Sequence, residues 1–277
     1  MPPDAPPAPS HQRSIGRAEL GLVAAPGGAR IRHLFQSSPL RILFPDSDPA
    51  EPKQAALVNV AGGLAGGDQV SVAITLGPGA RFTATTPAAE KIYRSLGPET
   101  AVSSTLDLAA GSTCEWLPQE TILFDGARLN RRMAVSLDGD ARLLAAEMLV
   151  FGRAARAEVF ATGALHDRWR IRRDGRLLWA DALKLADPAG ATLGRRFVME
   201  GAGATATLLL ALPDAAAHRD LARDLAGGNA GVVAPGLLLA RWMGEAGAVR
   251  AGLSAAIMAL REAALGLPPR LPRLWRT

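Results

Sequence analysis

The middle of the chain, from residue 70 to residue 185, is a succession of short segments in which apolar and polar residues alternate. In residues 70–76, valine, isoleucine and leucine alternate with serine, alanine and threonine, the period-two pattern of a half-buried strand. Several segments end at Asp-Gly pairs, whose glycines supply the positive φ angles of tight hairpins. No crossover helix of ordinary length separates the segments, which disfavours a doubly wound parallel sheet. The sequence therefore predicts a mainly β body, with strands at residues 70–76, 82–86, 101–108, 121–124, 131–137, 141–151, 168–172 and 177–185.

Three segments are predicted to be helical. Residues 86–95 begin with threonine and proline, a typical helix start. A helix capped by Asp214, with Ala217, Leu221 and Leu225 on one face, is expected to stop at the glycine pair 227–228. A longer helix is expected from about residue 245 to residue 265. Its apolar stripe comprises Val249, Leu253, Ala256, Leu260 and Ala264.

We expect a single domain over residues 15–277, with a β body to about residue 212, a helical region at 214–266 and a short tail. Residues 1–14 are rich in proline and alanine and lack the basic start and apolar core of a signal peptide, so they predict a disordered tail. The longest apolar runs are too short to cross a bilayer. The single cysteine, Cys114, allows no intrachain disulfide and is expected to be buried. A cytoplasmic protein with no membrane partner is the default expectation.

The charge of the chain gives little support for a nucleic-acid partner. The net charge is +5, and all but three of the basic residues are arginine. These arginines are scattered along the sequence and often stand beside acids, as in Arg219-Asp220. Nucleic-acid binding requires basic side chains that cluster on one face. We therefore expect an arginine-rich surface and no nucleic-acid partner.

A glycine-rich segment, residues 59–68, resembles a phosphate-binding loop but lacks its chemistry. Gly62 and Gly67 have the spacing of a P-loop, yet Asp68 and Gln69 occupy the positions of its lysine and its hydroxyl residue. A carboxylate there repels phosphate and favours a cation. The segment is therefore interpreted as a tight turn that presents Asp68, and a nucleotide-dependent enzyme has only the glycines in its favour.

The remaining side chains do not form a recognisable active site. The four histidines are widely spaced, and the sequence contains no H-E-x-x-H, C-x-x-C or G-x-S-x-G motif. We therefore expect no enzyme and no tightly bound cofactor. Carboxylates among the apolar strands remain, and oxygen ligands hold a borderline divalent ion weakly and exchangeably. Each acid also has a structural interpretation: Asp68 could close an Asx turn, and Glu147 could pair with an arginine such as Arg153.

Five segments, in order, resemble one known family, the urease accessory protein UreD, also called UreH. They cover the chain from about residue 59 onward. They are Gly62 to Asp68, Thr85 to Ser95, Glu115 to Ala127, Phe151 to Arg153 and Pro272 to Trp275.

The resemblance implies a non-catalytic chaperone of nickel urease with a mostly β, β-helical-type fold and a few helices. It implies that the chain binds UreF, that UreF recruits the GTPase UreG, and that the complex docks on the urease apoprotein. It also implies transient nickel passage through an internal tunnel, with Asp68, Glu90, Glu147 and Asp181 on the path. Glu90 stands where the family often has a small residue. The alternative is a purely structural protein that holds urease in an insertion-competent shape without carrying nickel.

Overall fold

The computed structural model describes residues 13–26, 28–46 and 48–276, so the first twelve residues of the predicted tail lie outside it. The strands of this part are, in chain order, β1 (Ile15–Ala25), β2 (Gly28–Gln36), β3 (Leu40–Leu43), β4 (Lys53–Asn59), β5 (Gln69–Leu76), β6 (Arg81–Thr85), β7 (Glu90–Ile92), β8 (Thr100–Leu108), β9 (Thr113–Leu117), β10 (Thr121–Leu123), β11 (Arg128–Leu137), β12 (Arg142–Phe151), β13 (Ala164–Arg173), β14 (Arg176–Leu185), β15 (Ala204–Ala211), β16 (Ala230–Ala234) and β17 (Leu237–Gly244). The α-helices are α1 (Ala189–Leu193), α2 (Arg219–Leu225) and α3 (Ala246–Leu265), and 3-10 turns occur at Ala154–Arg156, Ala215–His218 and Arg273–Arg276.

The chain winds between two sheets. Sheet A has the order β14-β13-β11-β8-β5-β1-β2, and sheet B has the order β16-β17-β15-β12-β9-β6-β4-β3. Strands β5, β8 and β11 are parallel neighbours in sheet A, and β4, β6, β9 and β12 are parallel neighbours in sheet B. The result is a β-solenoid of about 4 turns, in which each turn pairs with the next. The mainly β, β-helical-type fold expected from the sequence is confirmed.

Apolar residues fill two cores. In the first, buried residues of both sheets pack together between the sheets, among them Ile74 of β5 in sheet A and Phe82 of β6 in sheet B. In the second, the outer face of sheet B packs against α2 and α3. Because β12 contributes to both cores, it is buried from Leu143 to its end and lacks simple alternation.

Helix α3 follows the sequence prediction closely. The Glu245 side chain caps its start by accepting a hydrogen bond of 2.9 Å from the Ala248 N–H. Val249 and Leu253 are among the predicted stripe residues that are buried against sheet B. The helix ends at Gly266, whose φ of 61° is left-handed and suits glycine.

The predicted helix at residues 86–95 is wrong, because Glu90–Ile92 forms strand β7, which pairs in parallel with β10. The threonine–proline start serves another purpose here. The Thr86 hydroxyl donates to the Ala88 carbonyl and accepts from the Gln119 N–H, so it ties two solenoid turns together. A tertiary ladder between residues about thirty positions apart overrides the local helix signal.

The predicted helical region at 214–266 also contains the hairpin of β16 and β17, which completes the edge of sheet B. Asp214 makes no side-chain capping bond, and a 3-10 turn precedes the short helix α2. The buried residues here include Ala215 and Ala222, whereas the predicted face residue Ala217 is exposed. The hairpin went unpredicted because its strands bury part of their surface under α2, which masks the period-two pattern.

Three further findings concern the cysteine, the apolar segments and the arginines of the chain. Cys114 is buried, as predicted, and burial raises the pKa of its thiol. Among the described residues, no helix combines the length and the apolar character that a membrane span requires. Several arginines that are scattered in sequence come together on the outer face of sheet A. Arg132 of β11 lies beside Arg168 of β13, and Arg170 and Arg172 follow Arg168 along β13.

Candidate functional site

Three neighbouring cavities follow one another through the solenoid. The mouth pocket has a volume of about 120 Å³, the inner cavity about 110 Å³ and the side cavity about 580 Å³. Asn59 and Glu90 line both the mouth pocket and the inner cavity. Arg131 and Glu147 line both the inner cavity and the side cavity. Polar side chains therefore stand at both shared walls.

The wall between the inner cavity and the side cavity arises where sheet B splits. Residues 142–145 of β12 pair with β9, and residues 149–151 pair with β10. Residues 146–148 fall between these two ladders, because the chain turns away at 118–120 between β9 and β10. Glu147 lies in this gap, 7% exposed, and its side chain faces the cavities rather than a neighbouring strand.

Glu90 stands at the first shared wall. Strand β7 pairs Glu90 with Thr121 of β10, which fixes its backbone in the ladder. The Asn59 amide donates to both carboxylate oxygens of Glu90, at 3.1 and 3.2 Å. Burial raises the pKa of Glu90 to about 7, although the hydrogen bonds from Asn59 and from the Lys91 N–H act in the opposite direction. The carboxyl group therefore changes charge near neutral pH.

Glu90 is expected to make stability depend on pH. Its pKa is about 7 in the folded chain, against an ordinary value of 4.5 for a glutamate carboxyl group. Its contribution to stability is therefore fully present below pH 4.5 and is lost as the pH rises to 7. Glu90→Gln has no charge to lose and is expected to be more stable than the parent above pH 7, by about 1–2 kcal/mol. Urea unfolding across this range measures the difference, and a constant gap between the two proteins at every pH would contradict it.

Glu147 lies within an ion cluster that joins the two sheets. The Arg131 guanidinium donates to both oxygens of Asp167, at 2.9 and 2.7 Å, and to the Thr121 hydroxyl at 3.3 Å. Its Nη2 atom is 3.0 Å from Oε2 of Glu147. Burial raises the pKa of Glu147, and the charge of Arg131 opposes that rise. The cluster thus holds two carboxylates and one permanent cation.

Asp181 lies on the far side of the side cavity and reaches the surface. Its carboxylate forms an ion pair with Arg241, and its side chain is 36% exposed. Register explains the arrangement, since Glu147 pairs with Thr207 of β15 and Thr207 pairs with Arg241 of β17. The inner face of sheet B therefore leads from the buried Glu147 to the exposed pair of Asp181 and Arg241.

Asp68 lies apart from the other three predicted site residues and does not line these three cavities. Its oxygens accept hydrogen bonds from the Ser14 N–H at 2.8 Å and the Ala65 N–H at 2.7 Å. These bonds close the glycine turn and anchor the start of β1. The turn needs glycine at residue 63, where φ is 154° and a Cβ would lie 2.6 Å from the Tyr93 ring.

The structure also revises the pairing of Glu147. Arg153, the partner suggested by the sequence, forms an ion pair with Glu158 instead. Arg131 and Asp167 were missed, although each occupies an inward position in an otherwise apolar alternation: Leu129, Arg131 and Met133 in β11, and Leu165, Asp167 and Trp169 in β13. A charged residue at an inward position is the signal that could have found them.

The arrangement suits passage of a cation better than storage. Within the described residues, no group of three or more histidine, cysteine, aspartate or glutamate side chains is placed to hold a metal ion. Glu90, Glu147 and Asp181 instead stand one after another along the cavities. Each is in contact with an amide or a guanidinium, so a cation would meet separate oxygen ligands in succession.

Comparisons with known proteins identify related chains. A family model described as UreD urease accessory protein matches residues 14–276. The chain is 53% identical over 238 residues to a protein of Granulibacter bethesdensis named urease accessory protein UreD, covering 84% of this chain and 99% of the relative. Proteins of the same name from Magnetococcus marinus and Methylobacterium sp. (strain 4-46) are 41% and 43% identical. These alignments cover 94% and 97% of this chain, and 93% and 97% of the relatives.

Proposed function

The chain belongs to the UreD family of urease accessory proteins, and we propose that it assists urease maturation by passing nickel ions through its interior. Family membership supports an accessory role in urease maturation, and we propose that this role is not a catalytic one. Nickel is the cargo here, not a resident cofactor. What carries the proposal is the series of carboxylates along three adjoining cavities, namely Glu90, Glu147 and Asp181.

The proposed route begins at the mouth pocket and ends at the surface beside Asp181. Glu90 receives the ion at the first shared wall. Partial protonation of its carboxyl group near neutral pH and the hydrogen bonds from the Asn59 amide weaken its attraction for the ion. Glu147 offers an oxygen at the second wall, and Asp181 offers one at the exit. Carboxylate oxygens bind Ni²⁺ less tightly than clusters of histidine and cysteine do, so the ion can move on. In this route Asp68 supports the fold near the mouth rather than binding the ion.

The proposal includes partners. We propose that the chain binds UreF, that UreF brings the GTPase UreG, and that the assembly docks on the urease apoprotein, while no nucleic acid and no membrane takes part. Co-purification of the full chain with UreF and urease, followed by metal analysis of the urease, tests this set directly. Urease that acquires its full nickel content when this chain is absent would contradict the proposal.

The amide substitution Glu147→Gln tests the route itself. It preserves shape and removes the charge, and we expect the nickel content of urease to fall by about tenfold, the scale of a lost contact in a metal site. Complexes with UreF and urease should form as before. The measurement is nickel per urease active site after co-expression. The matched control is Glu262→Gln on the exposed side of α3, which should leave the nickel content unchanged.

The second candidate is a scaffold that shapes urease without carrying nickel. It is favoured by the fact that the cluster of Arg131, Asp167 and Glu147 also ties sheet A to sheet B. The variants Glu147→Gln and Asp181→Asn separate the two candidates. Lost activation with intact complexes supports nickel passage, whereas full activation in both variants supports the scaffold.

A further inference from the structure

Arg131 lies between two buried carboxylates, those of Asp167 and Glu147. The residue is 7% exposed, as are Asp167 and Glu147, and its side chain points from sheet A into the space between the sheets. Asp167 holds two of its nitrogens in a bidentate contact, which fixes the plane of the guanidinium. Glu147 approaches from sheet B on the other side.

The contact with Glu147 differs from the contact with Asp167. Although Oε2 of Glu147 is 3.0 Å from Nη2 of Arg131, that oxygen is buried and accepts no hydrogen bond within the described residues. Glu147 therefore feels the positive charge of Arg131 through an ion pair, without the bidentate hydrogen bonding that holds Asp167. Asp167, by contrast, has both oxygens engaged.

Without the guanidinium, the same space would present a ready set of oxygen ligands. The Asp167 and Glu147 carboxylates would face each other across it, with the Thr121 hydroxyl beside them. Two carboxylates and a hydroxyl are hard oxygen donors of the kind that divalent cations take. A site of this kind, buried and doubly charged, would retain a passing ion.

We propose that Arg131 acts as a tethered cation that satisfies Asp167 and Glu147 and so prevents the cavities from trapping a divalent ion. Arginine suits this role because its charge does not titrate in a protein. A passing ion then meets two carboxylates whose charge the guanidinium already balances in part. The biological meaning of this role rests on the proposed passage of nickel, but the electrostatic role can be measured on the chain alone.

Equilibrium dialysis of the full chain with Ni²⁺ or Mn²⁺ tests the proposal. Arg131→Met is expected to bind about one equivalent, at least about tenfold more tightly than the parent chain, because two carboxylates gain a shared ion. Arg132→Met is the matched control, since it removes a neighbouring arginine from the exposed face of the same strand. The triple variant R131M/E147Q/D167N should return to the affinity of the parent. Equal binding by folded R131M and R132M would overturn the proposal.

Arg131→Met also leaves two buried carboxylates without their counter-ion, so whether the variant folds is itself informative. If the variant folds only when Ni²⁺ or Mn²⁺ is present, as judged by circular dichroism, the ion has replaced the guanidinium and the proposal stands. If it stays unfolded with either ion, the carboxylates cannot hold an ion there and the proposal fails. Failure of the nickel route appears separately, as urease nickel content that is unchanged in Glu147→Gln.

Discussion

Replacing Arg261 with methionine is expected to lower the free energy of unfolding by about 3–5 kcal/mol, because it leaves a buried carboxylate without its counter-ion. Arg261 of α3 and Glu115 of β9 are both fully buried, and the Arg261 Nε donates to Glu115 at 2.7 Å. Arg261 also contacts Glu51 and donates to the Pro268 carbonyl at 3.0 Å. One side chain thus joins the helix, sheet B and two loops. Urea unfolding monitored by circular dichroism measures the loss.

A second variant separates charge from packing. In R261M/E115Q the stranded charge of Glu115 is removed, and we expect part of the lost stability to return. The matched control is Arg250→Met in the same helix, whose ion pair with Glu120 is partly exposed and should be worth about 1 kcal/mol or less. Equal losses in the Arg261 and Arg250 variants would show that burial of the ion pair is not what matters.

Trp275→Ala is expected to cost about 3–5 kcal/mol, the usual range for removing a buried tryptophan. The residue is 6% exposed and belongs to the second core, under sheet B. Its indole N–H donates to the Leu117 carbonyl at 3.0 Å and to the Thr85 hydroxyl at 3.2 Å. Thermal and urea unfolding should both show the loss.

Trp275→Phe keeps most of the buried apolar surface and gives up the hydrogen bonds, so it should cost about 1–2 kcal/mol. Phe197→Ala is the control for removing an aromatic ring, since Phe197 is 88% exposed and its loss should change stability by about 0.5 kcal/mol or less. A loss in Trp275→Ala no greater than in Phe197→Ala would mean that residues 273–276 do not pack on the solenoid as described.

Strands with one exposed face were predictable from the sequence, and so was the long helix. The β5 strand alternates cleanly because one face meets the core and the other meets water, and α3 carries its stripe, its cap and its terminal glycine within about twenty residues. These signals are local. Strand β7 is different, because its three residues are held by pairing with β10, about thirty positions later in the chain. The local threonine–proline signal predicts a helix, and nothing in the neighbouring sequence indicates the strand partner that overrides it.

The candidate site was predictable only in part, for a related reason. Three acids on the proposed path follow from the family resemblance, but the partners that define their chemistry do not. Arg131 meets Glu147 only because β11 and β12 lie in opposite sheets of the same solenoid turn, and Asp167 joins them because β13 is the parallel neighbour of β11. Likewise, arginines that look scattered in sequence share the outer face of sheet A, since parallel stacking turns a sequence separation of about thirty-six residues into adjacency.

The contacts of Trp275 and Arg261 also bear on how the protein is made. Trp275 forms hydrogen bonds with Thr85 and Leu117, which precede it in the sequence by 190 and 158 positions. Arg261 bonds to Glu115 across a separation of 146 positions. During synthesis the solenoid turns can stack as they leave the ribosome, but the outer face of sheet B stays uncovered until α3 and the residues after it have emerged. Contacts of such long range are slow to form. Until they form, the nascent chain exposes an apolar, aggregation-prone face of sheet B. Cellular yield should therefore depend more on chaperones that bind nascent chains than the stability of the finished fold would suggest.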